Sequence, residues 1–389
     1  MSRNITVGID IGTYQIKVVV AEQSTSRGLP RIIGTGYAES KGMRHGYIIN
    51  STDITRSLLV AKRQAEKISG HSIKKAYLSV GGVGLGSIIS TGKTIVSRAD
   101  AQVTDLDIEK SIQDAEEHIP EAHIINRKII HTIPIKHRID GKVILGRPTD
   151  MKGTQLESEV LFVTSLENHL NDLIESVEDA DVEVIDVMAS PVAASFVTLT
   201  KTQKVAGCVL ANIGAETVSI VVFENSVPIS LEIFPVGSTD ITNDIALGLK
   251  IPLEEAEQVK RGSMIGAVYS QKKLETIIES RLADIMELID AHLKKIGRSG
   301  LLPAGIIITG GGSGINNLSD VAKSSLKLPS KVATLASENN SMIKDSSWAV
   351  AYGLCILGFS ADEQNTASIG KMIRGVFRSV GNIIKQFLP

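Results

Sequence analysis

At 389 residues, 43% hydrophobic and 22% charged, the chain is long enough for more than one core and has the composition of an ordinary globular protein. Its net charge of -2 leaves no electrostatic footprint for nucleic acid. No apolar run of about 18 residues is present to span a membrane, and a first strand starting at Ile5 comes too early for a signal peptide, so a cytoplasmic chain is expected.

The stretch from Val7 to Val20 predicts two short strands. Val7, Ile9 and Ile11 alternate on the way in, and Ile16, Val18 and Val20 on the way out. The turn between them is Gly12-Thr13-Tyr14-Gln15. A glycine there lets backbone N–H groups approach a ligand, and such a turn can cradle a phosphate. Asp10, just before the turn, is placed to hold a hydrated Mg²⁺, and Lys17 to return positive charge to the phosphates. The same residues taken alone also describe a plain hairpin. Residues 31–40 follow as a strand and 42–50 as a loop. Asp53 to Ile68 is a helix capped by Ser51 or Thr52, with Ile54, Leu58, Leu59, Ala61, Ala65 and Ile68 at helical spacing. Ala76 to Val80 is a strand closed by Gly81-Gly82.

The character then shifts. Ser87 to Val96 reads as a strand, Thr104 to His118 as a helix, Lys128 to Ile135 as a strand, Asp140 to Gly153 as a glycine loop, and Glu157 to Val163 as a strand. Leu166 to Asp179 is a helix and Glu183 to Val187 a strand, ahead of a run of small residues from Ala189 to Ser195.

Val209 to Val222 then repeats the opening hairpin. At one constant offset Asp10 meets Asn212, Ile11 meets Ile213 and Gly12 meets Gly214, with no gap. Ala215, Glu216 and Thr217 complete this second turn. Two similar phosphate turns far apart suggest a duplicated fold with a nucleotide clamped between its halves. The two cysteines, Cys208 and Cys355, lie in apolar surroundings and read as core residues of a reducing compartment, not a disulfide or metal pair. The chain continues through Glu232 to Pro235 and then Gly237. Leu274 to Ile296 is a long helix with an apolar stripe through Ile278, Leu282, Ile285, Ile289 and Leu293. Gly305 to Ile315 runs from a buried-looking strand into Gly310-Gly311-Gly312-Ser313, which is either a flexible turn or the close backbone approach that an adenine or ribose requires.

Ser360 to Ser368 is polar and aperiodic and predicts a linker. Beyond it, Ile369, Met372, Ile373, Val376, Phe377, Val380, Ile383, Ile384, Phe387 and Leu388 recur at three and four, with Lys371, Arg374, Arg378 and Lys385 opposite and no acidic residue. That is the pattern of a helix lying in a membrane interface. A core helix more often carries mixed charge on its wet face.

Phosphate turn, second phosphate turn and strand-Gly-Gly-Gly-Ser, in this order, resemble the actin, chaperone and sugar-kinase ATPase superfamily. The implied fold is α/β: an actin-like duplicated ATPase fold of two lobes, with an inserted subdomain and a C-terminal amphipathic helix. The insertion does not sit where actin's does. Its Ile133-Pro134 strand, its Pro148, Met151 and Gly153 loop and its Leu156 to Val160 strand are similar to the subdomain inserted at this point in the FtsA family of bacterial cell-division proteins, although Asp150 stands where that family usually has a glycine. The resemblance covers nearly the whole chain. It implies subdomain 1A over residues 1–83, continued by 166–195 and part of 345–360, and subdomain 1C over 84–165. Subdomain 2A is expected over 196–225 and 300–345, subdomain 2B over 226–299, a linker over 360–368 and a membrane-targeting helix over 369–389.

The resemblance also implies ATP and Mg²⁺ as cofactors. Gly237 would lie near the nucleotide, Glu257 would accept from ribose hydroxyls, and Lys260 would lie beside the adenine; a solvated helix face is the alternative for the last two. Arg281 would lie near the site for the acidic tail of FtsZ, or else stand exposed beside Glu275 and Glu279. The family's second turn usually reads Asp-Ile-Gly-Gly, where this chain has Asn212, Ile213, Gly214 and Ala215. Asn cannot supply a metal-organising charge, and Glu216 adds one beside the phosphates unless it turns away, so slow ATPase activity at most is expected. The implied function is a filament on the cytoplasmic side of the cell membrane at the division site. It would tether FtsZ, assemble with itself and recruit other division proteins through the insert. An actin-like pilus-assembly protein and a nucleotide-hydrolysing enzyme are the alternatives.

Overall fold

The computed structural model describes residues 4–23, 29–263, 269–335, 343 and 345–367; the expected membrane helix over 369–389 lies outside the described residues. The chain opens with β1 (Ile5–Ile11), β2 (Gln15–Glu22) and β3 (Arg31–Glu39). The expected loop over 42–50 is instead a two-stranded ribbon, β4 (Met43–Arg44) with β5 (Tyr47–Ile48). Helix α1 (Ser51–Ser69) starts earlier than expected, because the Asn50 side chain, not Ser51 or Thr52, accepts from the Asp53 N–H as its cap. Strand β6 (Lys75–Val80) follows.

The insert comprises β7 (Leu85–Ile95), α2 (Asp105–Glu117), β8 (Arg127–Ile139), β9 (Lys142–Ile144) and β10 (Gln155–Leu166). Thr104 and Asp107 close a reciprocal capping box on α2. The expected loop over 140–153 contains β9, because Asp140-Gly141 turns β8 back on itself as a hairpin, both residues at positive φ. The chain returns through α3 (Glu167–Glu178), β11 (Glu183–Ala189), α4 (Ser190–Thr198) and α5 (Lys201–Ala206).

The second half contains β12 (Cys208–Ile213), β13 (Val218–Glu224), β14 (Val227–Phe234), α6 (Ser238–Leu249), α7 (Leu253–Lys260), α8 (Gln271–Lys295), β15 (Ile306–Thr309), α9 (Leu318–Leu326) and β16 (Ser330–Val332). Helix α10 (Ala349–Ala367) closes the described chain. The linker expected over 360–368 is thus helical as far as Ala367, since propagating a formed helix adds one hydrogen bond per residue fixed.

The two halves are built alike. One five-stranded sheet runs β11-β6-β1-β2-β3, and the other runs β16-β15-β12-β13-β14. In each, three strands meander antiparallel and two more join in parallel on the side of the first. The four insert strands form their own sheet, β7-β10-β8-β9, covered by α2. Strand β14 pairs with β13, so a boundary at 225/226 divides a hairpin.

One apolar core joins the halves. It runs from Val18 and Leu78 through α4 and α10 to Leu210, Val221 and Ile307 of the second sheet. A second core packs α6, α8 and α9 on the outer face of that sheet, so β12 is buried on both sides. The two central helices touch backbone to backbone, since a Cβ added at Gly353 of α10 would lie 1.9 Å from the Ala193 carbonyl oxygen of α4. Cys208 and Cys355 are both buried free thiols.

Candidate functional site

The two hairpin turns face each other across a cleft of about 1290 Å³. They are the same local structure. In the first, the Gly12 N–H donates to the Gln15 carbonyl at 3.2 Å; in the second, the Gly214 N–H donates to the Thr217 carbonyl at 2.8 Å. A Cβ at either glycine would stand 2.9 Å from that carbonyl oxygen, so each turn requires glycine. Behind the turns the registers also correspond, Asp10 opposite Lys17 and Asn212 opposite Ser219. The duplicated positions therefore differ in charge: a carboxylate and an ammonium in the first half, an amide and a hydroxyl in the second.

Asp10 accepts from the Ser79 hydroxyl at 2.7 Å. Burial raises its pKa, opposed by the nearby Lys17 charge and the Ser79 bond. Burial likewise lowers the Lys17 pKa, opposed by Asp10 and Asp345. The Lys17 ammonium stands 5.8 Å from the ring centroid of Trp348, the chain's one tryptophan. A carboxylate short of solvent, with unused oxygen capacity and open cleft before it, suits a cation that arrives with phosphates. Mg²⁺ takes one or two carboxylates and keeps several waters. Among the described residues no cluster of three or more His, Cys, Asp or Glu side chains could hold a metal by itself.

The glycine run after β15 separates into three roles. Gly310, at φ +94°, would put a Cβ 2.3 Å from the Asn212 amide oxygen, and Gly312 would put one 2.6 Å from Ile213. Gly311 meets nothing within 4 Å, so its open side is cleft. Ser313 donates to the Gly310 carbonyl at 2.7 Å and holds the turn. On the opposite wall Glu257 accepts from Thr242, Lys260 and Arg261 at 2.6, 2.7 and 2.7 Å. Burial would raise its pKa, but those three donors outweigh it and hold the carboxyl below its usual range. Lys260 also donates to the Ser238 carbonyl at 2.9 Å.

Of the residues singled out in the sequence, the structure brings Asp10, Gly12, Thr13, Tyr14, Lys17, Asn212, Gly214, Ala215, Glu216, Thr217, Glu257, Lys260, Gly310, Gly311, Gly312 and Ser313 together on this cleft. Gly237 is not on the cleft wall. Its Cβ would lie 2.3 Å from the Ala215 carbonyl oxygen, so glycine there lets α6 approach the second turn. Arg281 is partly buried: it makes a bidentate pair with Asp244 at 2.6 and 3.1 Å and stands 3.5 Å from Asp284. Glu216 turns away from the turn to accept from the His45 N–H on the β4–β5 ribbon. Sequence reasoning missed Ser79, Asp345, His45 and Arg261. Arg261 follows Lys260 directly and was within sight; the other three reach the site only through the fold.

A sequence model described as cell division protein FtsA matches residues 209–353, and one described as the SHS2 domain inserted in FtsA matches residues 84–164. Cell division protein FtsA of Bacillus subtilis is 29% identical over 374 residues, covering 91% of this chain and 83% of its own length. That of Pseudomonas aeruginosa is 26% identical over 380 residues, covering 92% and 90%. Among solved structures, the PilM–PilN type IV pilus biogenesis complex aligns with TM-score 0.66 at 17% identity over 91% of this chain and 98% of its own. MreB5 of Spiroplasma citri bound to ADP aligns with TM-score 0.52 at 12% identity over 94% and 99%. These structural likenesses share an actin-like fold.

Proposed function

We propose a function for this chain on the ground that it belongs to the FtsA family of cell-division proteins and has the actin-like fold with an inserted SHS2 domain. The chain binds ATP with Mg²⁺ in the cleft between its two turns and assembles with itself into a filament. Residues 369–389 bind that filament to the inner face of the cytoplasmic membrane, where it ties FtsZ in place. The observation that carries the nucleotide part is the cleft itself, with a glycine-built turn on each side and Gly311 open to it. A solved neighbour of the same fold is described as bound to ADP, and a second as bound to AMPPNP.

The chain's own residues divide the work. Asp10 would hold the metal, Lys17 would face the phosphates, and the backbone of the two turns would take the phosphate oxygens. Bound Mg²⁺ neutralises charge on the phosphates. Asn212 and Ser219 replace a second charged pair behind the second turn, and the Glu216 carboxylate is engaged by the His45 N–H, which supports slow hydrolysis and a nucleotide that acts mainly as a clamp. Arg281 already pairs with Asp244, so an acidic peptide docking there would share or displace that partner. No helix among the described residues is long and apolar enough to cross a membrane, so attachment by the terminal amphipathic segment is the route proposed. The insert, with its own sheet and core, is the proposed platform for further division proteins.

Calorimetry with Mg²⁺-ATP tests the nucleotide part. A Cβ at Gly311 meets nothing within 4 Å and faces the cleft, so Gly311→Val should fold as the wild type does, fill that space with its branched side chain and lose binding. Equal affinity in the two proteins would reject this placement.

A further inference from the structure

Among the described residues, a side chain on each turn reaches across the cleft to the opposite half. In the first contact, the Glu216 carboxylate leaves the second turn and accepts from the His45 backbone N–H, while the His45 ring Nδ1 stands 3.5 Å from the Glu216 carbonyl oxygen. His45 is held for this role. It sits at φ +48° at the tip of the β4–β5 ribbon, and a Cβ on the adjoining Gly46 would lie 2.2 Å from the Gly82 Cα, so the tip is seated on the first half. In the second, Arg261 of the second half donates to the Tyr14 hydroxyl at 3.3 Å and lies 5.7 Å from the Tyr14 ring centroid, while Glu257 fixes its Nε at 2.7 Å. Tyr14 is in the first turn and half exposed, so each turn is tied to the opposite half.

We propose that Glu216, seconded by Arg261, is a clasp that holds the halves closed and controls nucleotide release. This rests on the reading of the cleft as a nucleotide site. A ligand lying between the turns leaves when the halves part, and parting them breaks both contacts. The clasp also disposes of the charge at Glu216: a carboxylate spent on an N–H across the cleft is not aimed at the phosphates. Glu216 is a positioning residue, acting on the ligand through the closure of the halves.

The test uses the full chain and two substitutions that separate reach from charge. Glu216→Asp keeps the charge and loses one methylene of reach; Glu216→Gln keeps the reach and an acceptor oxygen but loses the charge. Release of a fluorescent ATP analogue, chased with unlabelled Mg²⁺-ATP, should be about tenfold faster in Glu216→Asp, the cost of one hydrogen bond to a charged group. In Glu216→Gln it should fall between the two. Hydrogen exchange at the His45 amide, measured without nucleotide, should follow the same order, slowest in the wild type. Wild-type release in Glu216→Asp, or release from Glu216→Gln slower than from the wild type, would overturn the clasp, the second because it marks Glu216 as a source of repulsion. Equal exchange at His45 in all three proteins would overturn it whether or not nucleotide binds. If His45 is protected as expected but no protein binds the analogue, the clasp between the halves stands and the nucleotide reading fails.

Discussion

Asp10 shows a carboxylate whose partners do not compensate its burial. A folded pKa raised above the usual 3.8 means that the ionised form is disfavoured in the native protein. The stability contributed by this group is therefore present below 3.8 and lost as pH rises through its folded value, so at neutral pH the charge is a liability that a cation can relieve. Asp10→Asn should leave the melting temperature of the nucleotide-free protein no lower than the wild type and should abolish the rise caused by Mg²⁺-ATP. Thermal melts with and without ligand decide this, and a full ligand-induced rise in the variant would remove Asp10 from the site. At the duplicated position, Asn212→Asp would place a carboxylate near the end of β12, where the first half has Asp10. Steady-state phosphate release should be slow in the wild type, below the roughly 1 per second at the low end of typical enzymes, and modestly faster in the variant. Rapid turnover in the wild type, unchanged by Asn212→Asp, would instead favour an enzyme.

Strand β8 carries the clearest pH dependence at the scale of an element. His131 accepts from the Ala189 N–H at 2.9 Å, which ties the insert to the end of β11. Burial pulls its pKa down to about 4, and burial does the same to His137 in the same strand. A histidine with a depressed folded pKa contributes stability that is present above its unfolded value of about 6.5 and lost as pH falls towards 4. The melting temperature should therefore drop across that window, and His131→Leu should flatten the drop while lowering stability at neutral pH, because it leaves the Ala189 N–H buried without a partner. A pH profile identical to the wild type would clear His131 of this role. Elements differ in how far they could be read in the sequence. The hairpins β1–β2 and β12–β13 were legible because apolar alternation and a turn glycine recur at one offset. Helix α5 and strand β16 were not, being too short for periodicity to declare itself. The polar run after Ser360 hid a helix, because its register is inherited from the packed start of α10. The ribbon at His45 was unreadable as part of the site because its partner, Glu216, lies 171 positions away.

Across the whole molecule, duplication explains most of the architecture. Two sheets of one strand order stand on either side of two central helices packed at Gly353 and Ala193, and the cleft opens between the equivalent turns. Such a body can change by opening and closing about its central helices, and a ligand held by both halves shifts that equilibrium by its preference for the closed form. In the function proposed here, closure would set the surfaces offered to the next copy, and a filament would multiply the weak membrane affinity that the sequence pattern of residues 369–389 implies. Phe377→Glu puts a charge among the apolar positions of the sequence pattern over residues 369–389, where binding to a membrane would require its desolvation, so the variant should detach while its body stays folded. The measurement that tests the account most directly is co-sedimentation of the full chain with anionic liposomes, with and without Mg²⁺-ATP, beside a chain ending at Ser368. Pelleting with liposomes that ATP increases, and that is lost in both the shortened chain and Phe377→Glu, is the expected result. Pelleting that is indifferent to ATP and survives removal of residues 369–389 would contradict a nucleotide-gated membrane tether.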